Sequence, residues 1–232
     1  MVEKKGVLGG EPVPVHLDGE LLVVDKPAGM ATTAPAKEAR CLVRWVEEVY
    51  PELRAHPTSR LDSPVSGLVT FALTKRANER LLEARRSGAY ERLYVGLTLH
   101  AVEPVRGEWA WPISIDPKNA KLRVAGPGRG EREALTEYHV AERIRHATVL
   151  HLRPRTGRTH QLRVHAAEAG APLFGDHAYG GERRLTLPDG TVVTPRRVML
   201  HCRKVPYAWG EVRREFESAL PSDFAAVMQA VS

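Results

Sequence analysis

The sequence has little cysteine and no long hydrophobic run, and each absence excludes a class of protein. Its two cysteines, Cys41 and Cys202, lie far apart in a chain of 232 residues. They form neither a disulfide framework nor a zinc-ligand spacing, so we expect reduced thiols. No stretch of about 18 apolar residues could cross a membrane. The first residues lack an apolar segment, so we expect no signal peptide and a cytoplasmic location.

The composition that is present is globular and basic. Hydrophobic residues make up 43% of the chain, and the formal net charge is +6. This length allows one large domain or two small ones with a sizeable core. A basic balance suits a polyanionic partner such as a nucleic acid.

Strands and helices alternate along the chain without a strict βαβ rhythm, which predicts an α+β domain with a mixed, mainly antiparallel sheet. The first 19 residues are expected to form an arm that joins the body near residues 13–17, and Lys26 is expected at a loop rim. Periodicity and capping signals predict strands at 20–25, 68–73, 91–99, 135–143 and 148–153, helices at 36–50, 75–87 and 159–169, a hairpin turn at 188–190, and a strand followed by a short helix within 211–224.

Finer expectations concern single residues in these elements. Trp45 should pack in the core, and Thr74 and Thr159 should be helix N-caps. On the strand at 91–99, Arg92, Tyr94, Gly96 and Thr98 share one face, which we interpret as a cleft wall. Residues 116–133 are rich in Gly, Pro and basic side chains, so we expect a basic, mobile loop there.

A carboxylate stands in a tight turn between two predicted strands. The stretch Ser59-Arg60-Leu61-Asp62-Ser63-Pro64-Val65-Ser66-Gly67 places Asp62 just before the apolar strand at 68–73. Pro and Gly punctuate it, so it forms a turn and not a helix. Taken alone, this stretch favours an ordinary turn residue at Asp62, because Asp and Ser are common in turns.

A second stretch supplies many hydrogen-bond donors. Arg153-Pro154-Arg155-Thr156-Gly157-Arg158-Thr159-His160-Gln161-Leu162-Arg163-Val164-His165 is basic and lies at a strand-to-helix junction. Backbone N–H groups at a helix start favour anions. An isolated carboxylate and a donor-rich helix start are complementary parts of one site.

Together these stretches resemble the RNA pseudouridine synthases of the RluA type. That family carries His-Arg-Leu-Asp-x-x-Thr-Ser-Gly around its catalytic Asp and a later Thr-Gly-Arg-Thr-His-Gln-Ile-Arg-Val-His, followed by Gly-Asp-x-x-Tyr-Gly. Here the second motif is nearly complete and residues 175–180 match the third. Residues 23–30 resemble the early Asn/Asp-Lys-Pro-x-Gly segment, and residues 200–201 the late Leu-His. Ser59 and Val65 depart from the family's His and Thr, and Arg92-Leu93-Tyr94 stands for its Lys-x-Tyr.

The resemblance covers about residues 20–220 and implies a fold and an activity. It implies the pseudouridine synthase fold, a bent sheet flanked by helices with a central cleft. We therefore expect an N-terminal arm at 1–19 and a single catalytic domain at 20–232, without an RNA-binding module of the S4 type. The activity implied is isomerisation of uridine to pseudouridine in structured RNA, either rRNA or tRNA, by a monomer that needs no cofactor.

The resemblance also assigns roles to residues. Asp62 would be the catalytic carboxylate, either as a nucleophile at C1′ or as a base that starts a glycal route. Arg163 would hold Asp62 bidentately, and Tyr94 would stack on the uracil. Arg60 would fill the space that a flipped base leaves. Arg92, Arg158, His160 and Gln161 would contact RNA or hold the loop beside it.

Other interpretations remain open at this level. A non-catalytic RNA-binding protein could have kept the fold, and the changes at Ser59 and Val65 motivate that alternative. An unrelated Asp-dependent hydrolase would need a second acid or a metal ligand near Asp62, and residues 63–66 offer none. His160 and His165 are five residues apart, which is not a same-face helical spacing, so we expect no metal site.

Overall fold

A computed structural model describes residues 10–34, 40–209 and 212–232. The helices are α1 Leu42–Val49, α2 Lys75–Arg86, α3 Gln161–Glu168 and α4 Ser222–Val231, and a short 3-10 turn spans His177–Tyr179. The strands are β1 Val13–Leu17, β2 Leu21–Lys26, β3 His56–Pro57, β4 Ser66–Ala72, β5 Leu93–Thr98, β6 Arg106–Trp109, β7 Ile113–Ile115, β8 Arg123–Ala125, β9 Thr136–Ile144, β10 Ala147–Pro154, β11 Leu185–Thr186, β12 Val192–Val193, β13 Leu200–Trp209 and β14 Val212–Glu217.

The chain forms two compact units, and neither is continuous in sequence. The first contains the residues up to Tyr90 together with Cys202–Pro221, and the second contains Glu91–His201 together with Ser222–Ser232. The predicted arm meets the first unit as expected, because β1 pairs with β2. The rest of the predicted arm, residues 1–9, lies outside the described residues. The division into an arm and one domain at 20–232 stays a prediction.

The first unit is built on strands in the order β1, β2, β4 and β13. Strand β2 pairs antiparallel with both β1 and β4, and β14 pairs antiparallel with β13. Every residue of β4 is buried, as its nearly continuous apolar sequence predicts. Gly67 lies where a Cβ would come within 2.3 Å of the Cys202 carbonyl oxygen, and its φ is +113°. Only glycine permits both that backbone conformation and that close approach.

The second unit is built on strands in the order β5, β10, β9 and β6, all antiparallel. The predicted pairing of residues 135–143 with 148–153 is confirmed by β9 and β10. Helix α3 packs against β8, β9 and β10, and its residues 161–166 are all buried. The α+β class and the mainly antiparallel pairing are therefore confirmed.

Several predicted caps, turns and terminal elements are present in the structure. Thr74 caps α2 as predicted, because its Oγ1 accepts a hydrogen bond from the Ala77 N–H at 3.0 Å. The hairpin at 188–190 is confirmed by β11 and β12. The predicted C-terminal strand is β14, and the predicted short helix is the start of α4, which continues beyond 224 to Val231. No helix in the described part of the chain has the length and apolarity needed to cross a bilayer.

Three predictions need correction. Helix α1 begins at Leu42, and Cys41 is its N-cap. The predicted helix start at 36 is therefore wrong for Arg40 and Cys41, which are not helical. Residues 36–39 of that prediction lie outside the described residues. Trp45 is only half-buried. Residues 116–133 are not one loop, because β8 pairs with β7 in a hairpin, which satisfies backbone groups that a loop would leave to water.

Candidate active site

Asp62 lies in a turn that is fastened to strand β4. The Asp62 carbonyl oxygen accepts a hydrogen bond from the Val65 N–H at 3.0 Å, which closes the turn. Upstream, the N–H and the hydroxyl of Thr58 both donate to the Thr70 carbonyl, at 2.9 and 3.0 Å. The Ser59 hydroxyl accepts from the Thr70 N–H at 3.3 Å. The carboxylate therefore projects from a backbone whose path is set on its N-terminal side.

The residues on either side of Asp62 are held by the segment that follows β2. The Thr32 hydroxyl donates to the Leu61 carbonyl at 3.0 Å and accepts from the Leu61 N–H at 2.9 Å. The Gly29 N–H donates to the Ser63 carbonyl at 2.7 Å. These bonds fix the main chain immediately before and after Asp62. The early Lys-Pro-x-Gly segment thus has a physical role as support for the turn.

Lys26 is not at a loop rim, and that prediction is wrong. Its side chain is completely buried, and its ammonium donates to the carbonyls of Pro27 at 2.8 Å and Met30 at 2.6 Å. A buried ammonium must be satisfied by acceptors of this kind. Burial raises the pKa of the neighbouring Asp25, opposed by the hydrogen bond from Ser218 and by the Lys26 charge.

The two departures from the family pattern are both buried, and Arg60 is not. Ser59 and Val65 are 5% and 2% exposed, and the hydroxyl of Ser59 is used in the turn. The Arg60 side chain is exposed two residues before Asp62. Its position leaves the predicted RNA contact open to experiment.

Tyr94 and Arg92 lie together at the start of β5 in the second unit. Tyr94 is 5% exposed and faces Leu152 across the β5–β10 pair. Arg92 Nη1 lies 3.4 Å from the Tyr94 hydroxyl, and a Cβ added at Gly157 would lie 3.4 Å from Arg92 Nη2. Arg92 is thus brought next to the turn that carries Arg158.

The predicted cleft wall on β5 is shorter than the alternation indicated. At Gly96, an added Cβ would lie 3.1 and 3.3 Å from the side chains of Leu173 and Leu152. Thr98 is fully buried and donates to the Pro172 carbonyl at 2.8 Å. Both positions are covered by the chain's own residues. Only the Arg92–Tyr94 end of this face fits the prediction.

The helix that carries Arg163 starts one residue later than predicted. Its N-cap is His160, with φ 59° and ψ 16°, and not Thr159. This left-handed conformation is uncommon for a residue with a side chain. Strain of this kind persists only where surrounding contacts over-determine it, and Gln161 and Tyr179 supply such contacts here.

Gln161 holds the turn before the helix. Its Oε1 accepts from the Thr156 hydroxyl at 2.7 Å and from the Arg158 N–H at 3.0 Å. Its Nε2 donates to the Leu135 carbonyl at 2.9 Å and the Thr136 hydroxyl at 3.0 Å. Because the buried amide uses both of its donors internally, we retain Gln161 as a residue that holds the loop and not as one whose side chain contacts RNA.

Tyr179 connects the helix start to the β7–β8 hairpin. Its hydroxyl accepts from the Arg123 N–H at 3.1 Å and lies 2.6 Å from His160 Nδ1. Its ring meets the His160 ring edge-on, with centroids 5.7 Å apart. His160, predicted as an RNA contact, is therefore placed half-buried beside Tyr179. Arg158 is also half-buried and donates through Nε to the Glu133 carbonyl at 2.8 Å.

Arg163 forms its bidentate pair with Asp176. Its Nε and Nη2 lie 2.7 Å from the two carboxylate oxygens of Asp176. The side chains are 7% and 2% exposed, and the Arg163 guanidinium lies 4.8 Å from the centroid of the Tyr179 ring. The sequence prediction that Arg163 holds Asp62 bidentately stays a prediction.

The histidines of this region are occupied by protein groups. His165 Nε2 lies 2.9 Å from the Trp111 carbonyl, and Nδ1 lies 3.0 Å from the Thr136 hydroxyl. Burial lowers the pKa of His165, opposed by the hydrogen bond to Trp111. Among the described residues, no group of His, Cys, Asp and Glu is arranged to hold a metal ion.

Sequence reasoning gave no role to Asp176 or Tyr179. Both stand in the Gly-Asp-x-x-Tyr-Gly segment, which was noted as a motif. The signal that could have identified them was the need of a buried Arg163 for a carboxylate partner. Proximity in sequence could not show it, because 13 residues separate Arg163 from Asp176.

Comparison with known proteins identifies relatives of this chain. Residues 20–168 match the family model described as RNA pseudouridylate synthase. Ribosomal large subunit pseudouridine synthase D of Pseudomonas aeruginosa is 32% identical over 90% of this chain and 68% of its own length. The synthase of the same name from Xanthomonas campestris is 36% identical over 79% of this chain. The chain spans 56% of the length of that relative.

A shorter relative and two solved structures extend the comparison. The dual-specificity RNA pseudouridine synthase RluA of Salmonella typhi is 30% identical over 91% of this chain and 94% of its own length. Human RNA pseudouridylate synthase domain containing 4 has a TM-score of 0.73 at 22% identity, covering 94% of this chain and 92% of that one. Human RNA pseudouridylate synthase domain containing 1 has the same TM-score, covering 97% of this chain and 90% of that one. The structures establish the fold, and the sequence matches place the chain in the family of RNA pseudouridine synthases.

Proposed function

We propose that this protein isomerises uridine to pseudouridine in structured RNA, with Asp62 as the reacting carboxylate. The observation that carries the proposal is the fastening of the Asp62 turn. Hydrogen bonds hold the main chain immediately before and after this one half-buried side chain. A reactive group held in one position avoids the entropy cost of being placed at each turnover.

The reaction needs a carboxylate and a change in the attachment of the base. The bond from C1′ to N1 breaks, the uracil turns, and C1′ bonds to C5, which then gives its hydrogen to water. Asp62 supplies either a nucleophile at C1′ or a base that starts a glycal route, and both remain open. No redox partner is required, because the substrate and the product are isomers.

Tyr94 and Arg163 complete the proposed catalytic set. A buried Tyr94 offers a ring on which uracil can stack, and such stacking contributes about 1–3 kcal/mol per base. We propose that Arg163 orients the Asp62 carboxylate through the Nη1 end of its guanidinium. Its other edge is held by Asp176 at 2.7 Å.

RNA binding is proposed for exposed and half-buried cations around these groups. A uridine inside a helix must leave its stack to reach a carboxylate, which costs a few kcal/mol. Arg60 is exposed beside Asp62 and would fill the space left behind. Arg92, Arg158 and His160 would contact phosphate or hold the turn, and Gln161 would act only through that turn.

For the substrate we propose a class of RNA and not one particular molecule. One set of relatives is named for the ribosomal large subunit and another is named dual-specificity, which supports rRNA or tRNA as the substrate class. Such a substrate would place the protein in the cytoplasm. We propose action as a monomer, since Asp62, Tyr94 and Arg163 all belong to one chain.

The decisive test is tritium release from RNA that contains 5-tritiated uridine. Isomerisation must release the C5 tritium to water, so wild-type protein is expected to release it from unmodified rRNA or tRNA. Asp62→Asn removes the charge at nearly constant shape. It is expected to reduce release more than a thousandfold, about the scale of losing a reacting group, while RNA affinity stays within about threefold.

Ser63→Ala is the matched control, because it changes an exposed neighbouring side chain in the same turn. Its release should equal that of the wild type. Residual activity of Asp62→Asn within tenfold of wild type would remove Asp62 from the reaction. Binding without release by the wild type would favour the non-catalytic alternative, a protein that kept the fold and the RNA surface.

A further inference from the structure

We infer that Asp176 is a positioning residue that fixes the direction of the Arg163 guanidinium; this inference rests on the proposed function of Arg163. Both oxygens of Asp176 are engaged, with Arg163 Nε and Nη2 each 2.7 Å away. Both side chains are almost completely buried. A buried pair of this kind is weak evidence for stability, so its consequence for geometry is the more informative property.

A bidentate pair sets the orientation of a planar group. Guanidinium carries five N–H donors in a rigid plane, and two parallel bonds on one edge fix both that plane and the rotation within it. Asp176 takes the Nε–H and one Nη2–H. The Nη1 end of Arg163 is therefore directed away from Asp176 along one line.

Tyr179 limits the remaining motion from one face of the guanidinium. The Arg163 guanidinium carbon lies 4.8 Å from the Tyr179 ring centroid, a distance at which a cation and an aromatic face attract. The tyrosine is itself held, because its hydroxyl meets the Arg123 N–H at 3.1 Å and His160 Nδ1 at 2.6 Å. An edge contact and a face contact together leave the guanidinium little freedom.

The turn that carries Asp176 is also rigid. The Asp176 N–H donates to the Leu173 carbonyl at 2.9 Å, and the Asp176 carbonyl accepts from the N–H groups of Tyr179 at 3.0 Å and Gly181 at 2.9 Å. A Cβ at Gly181 would come within 2.0 Å of the Leu173 carbonyl oxygen. The carboxylate and the tyrosine thus belong to one closed turn, which supports Arg163 from a fixed position.

The test is the substitution Asp176→Asn with kcat and KM measured separately for RNA. The amide keeps one acceptor and loses the second, so the guanidinium is expected to tilt. Small misplacements of catalytic groups cost up to about a hundredfold. We expect kcat to fall about 10- to 100-fold with KM within about twofold. Asp176→Glu, which restores the carboxylate, should recover part of the loss.

Asp223→Asn is the matched control for stability. Asp223 forms a bidentate pair with Arg197 in the same unit, at 2.7 and 3.0 Å, and neither residue belongs to the proposed site. The control should lower the melting temperature and leave kcat unchanged. A kcat for Asp176→Asn equal to that of the control would overturn the inference, as would a rise in KM alone.

A double-mutant cycle with Arg163→Met separates positioning from general destabilisation. If Asp176 acts through Arg163, adding Asp176→Asn to Arg163→Met should lower kcat by less than twofold more. Full additivity of the two losses would contradict the inference. If Asp176→Asn does not fold, Asp176→Glu and its cycle decide the matter in the same way. Suppose that the wild type releases tritium, that Asp62→Asn does not, and that the Asp176 variants release it at the wild-type rate. That result would contradict this inference and leave the proposed function intact.

Discussion

The second unit contains two clusters of an arginine, an aspartate and an aromatic ring that look alike and differ in their surroundings. In one, Arg163 pairs with Asp176 over the Tyr179 ring. In the other, Arg197 pairs with Asp223, and its guanidinium carbon lies 5.7 Å from the ring centroid of Phe224. Both arginines are buried and both pairs are bidentate, so the pair alone does not identify a functional site.

Arg197 is tied to the main chain around it, and the two carboxylates differ in their exposure. Arg197 Nη1 donates to the carbonyls of Val198 at 3.2 Å and Leu200 at 3.3 Å, so its second end closes on the chain. Asp223 is 37% exposed, whereas Asp176 is 2% exposed. Burying a carboxylate that deeply is costly. The comparison shows that two similar bidentate pairs differ in how completely the carboxylate is removed from water.

The largest effect should come from replacing each arginine with methionine. Arg163→Met should lower kcat by about 10²–10³, the usual loss for one charge-stabilising donor. It should also cost about 3–5 kcal/mol of stability, because Asp176 stays buried without its partner. Arg197→Met should lose less stability, since Asp223 can reach water, and its folded fraction should turn over normally. Tritium release and thermal melts on both variants measure this difference between the two clusters. Equal losses of kcat in Arg163→Met and Arg197→Met would show that the clusters do not differ in function.

A smaller effect is expected in the acid stability of the second cluster. Burial would raise the pKa of Asp223, but the hydrogen bonds and charge of Arg197 outweigh it and hold that pKa below the ordinary value of 3.8. The pair therefore stabilises the folded state fully above that value, and the contribution is lost as pH falls through the folded pKa. Asp223→Asn should lower the melting temperature near neutral pH and flatten its decline below about pH 4. If the melting temperatures of the wild type and Asp223→Asn decline in parallel below about pH 4, the Asp223–Arg197 pair is not the source of this acid sensitivity.

The smallest effect should follow from making the two aromatic rings alike. Tyr179→Phe keeps the ring under Arg163 and removes only the hydroxyl that meets His160 and the Arg123 N–H. Each of these two lost hydrogen bonds contributes about 1 kcal/mol. We expect kcat to fall only about two- to threefold, because most of that energy concerns the loop and not the guanidinium. Phe224→Tyr tests the reverse change and should leave kcat unaltered. A loss for Tyr179→Phe as large as that of Arg163→Met would mean that the hydroxyl takes part in the chemistry.

Elements with strong local signals could be predicted from the sequence. The Thr74 cap, the apolar run of β4, the pairing of β9 with β10 and the hairpin at 188–190 all depend on neighbouring residues. The family resemblance added the α+β synthase fold. The β7–β8 hairpin was missed because Gly and Pro at 126–130 dominated the local pattern while its pairing partner precedes the turn.

The site was predictable only as a set of residues. Lys26 was expected at a loop rim because it follows the strand predicted at 20–25. The structure instead buries its ammonium against the carbonyls of Pro27 and Met30. The pairing of Arg163 with Asp176 was not foreseen, because Asp176 reaches the guanidinium through a turn that no periodicity describes. Alternation along β5 could not reveal that its second face is covered at Gly96 and Thr98.

The turn around Asp62 is held mostly by main-chain groups and small hydroxyls, and this bears on how the protein could be re-engineered. Thr32, Thr58 and Ser59 supply the hydroxyls, and the other bonds join backbone to backbone. The shape of the turn then depends little on Arg60 and Ser63, whose side chains are exposed. Residues 60 and 63 could therefore be varied in libraries of variants that are selected for new RNA targets. The main chain that carries the Asp62 carboxylate should keep its position in such variants.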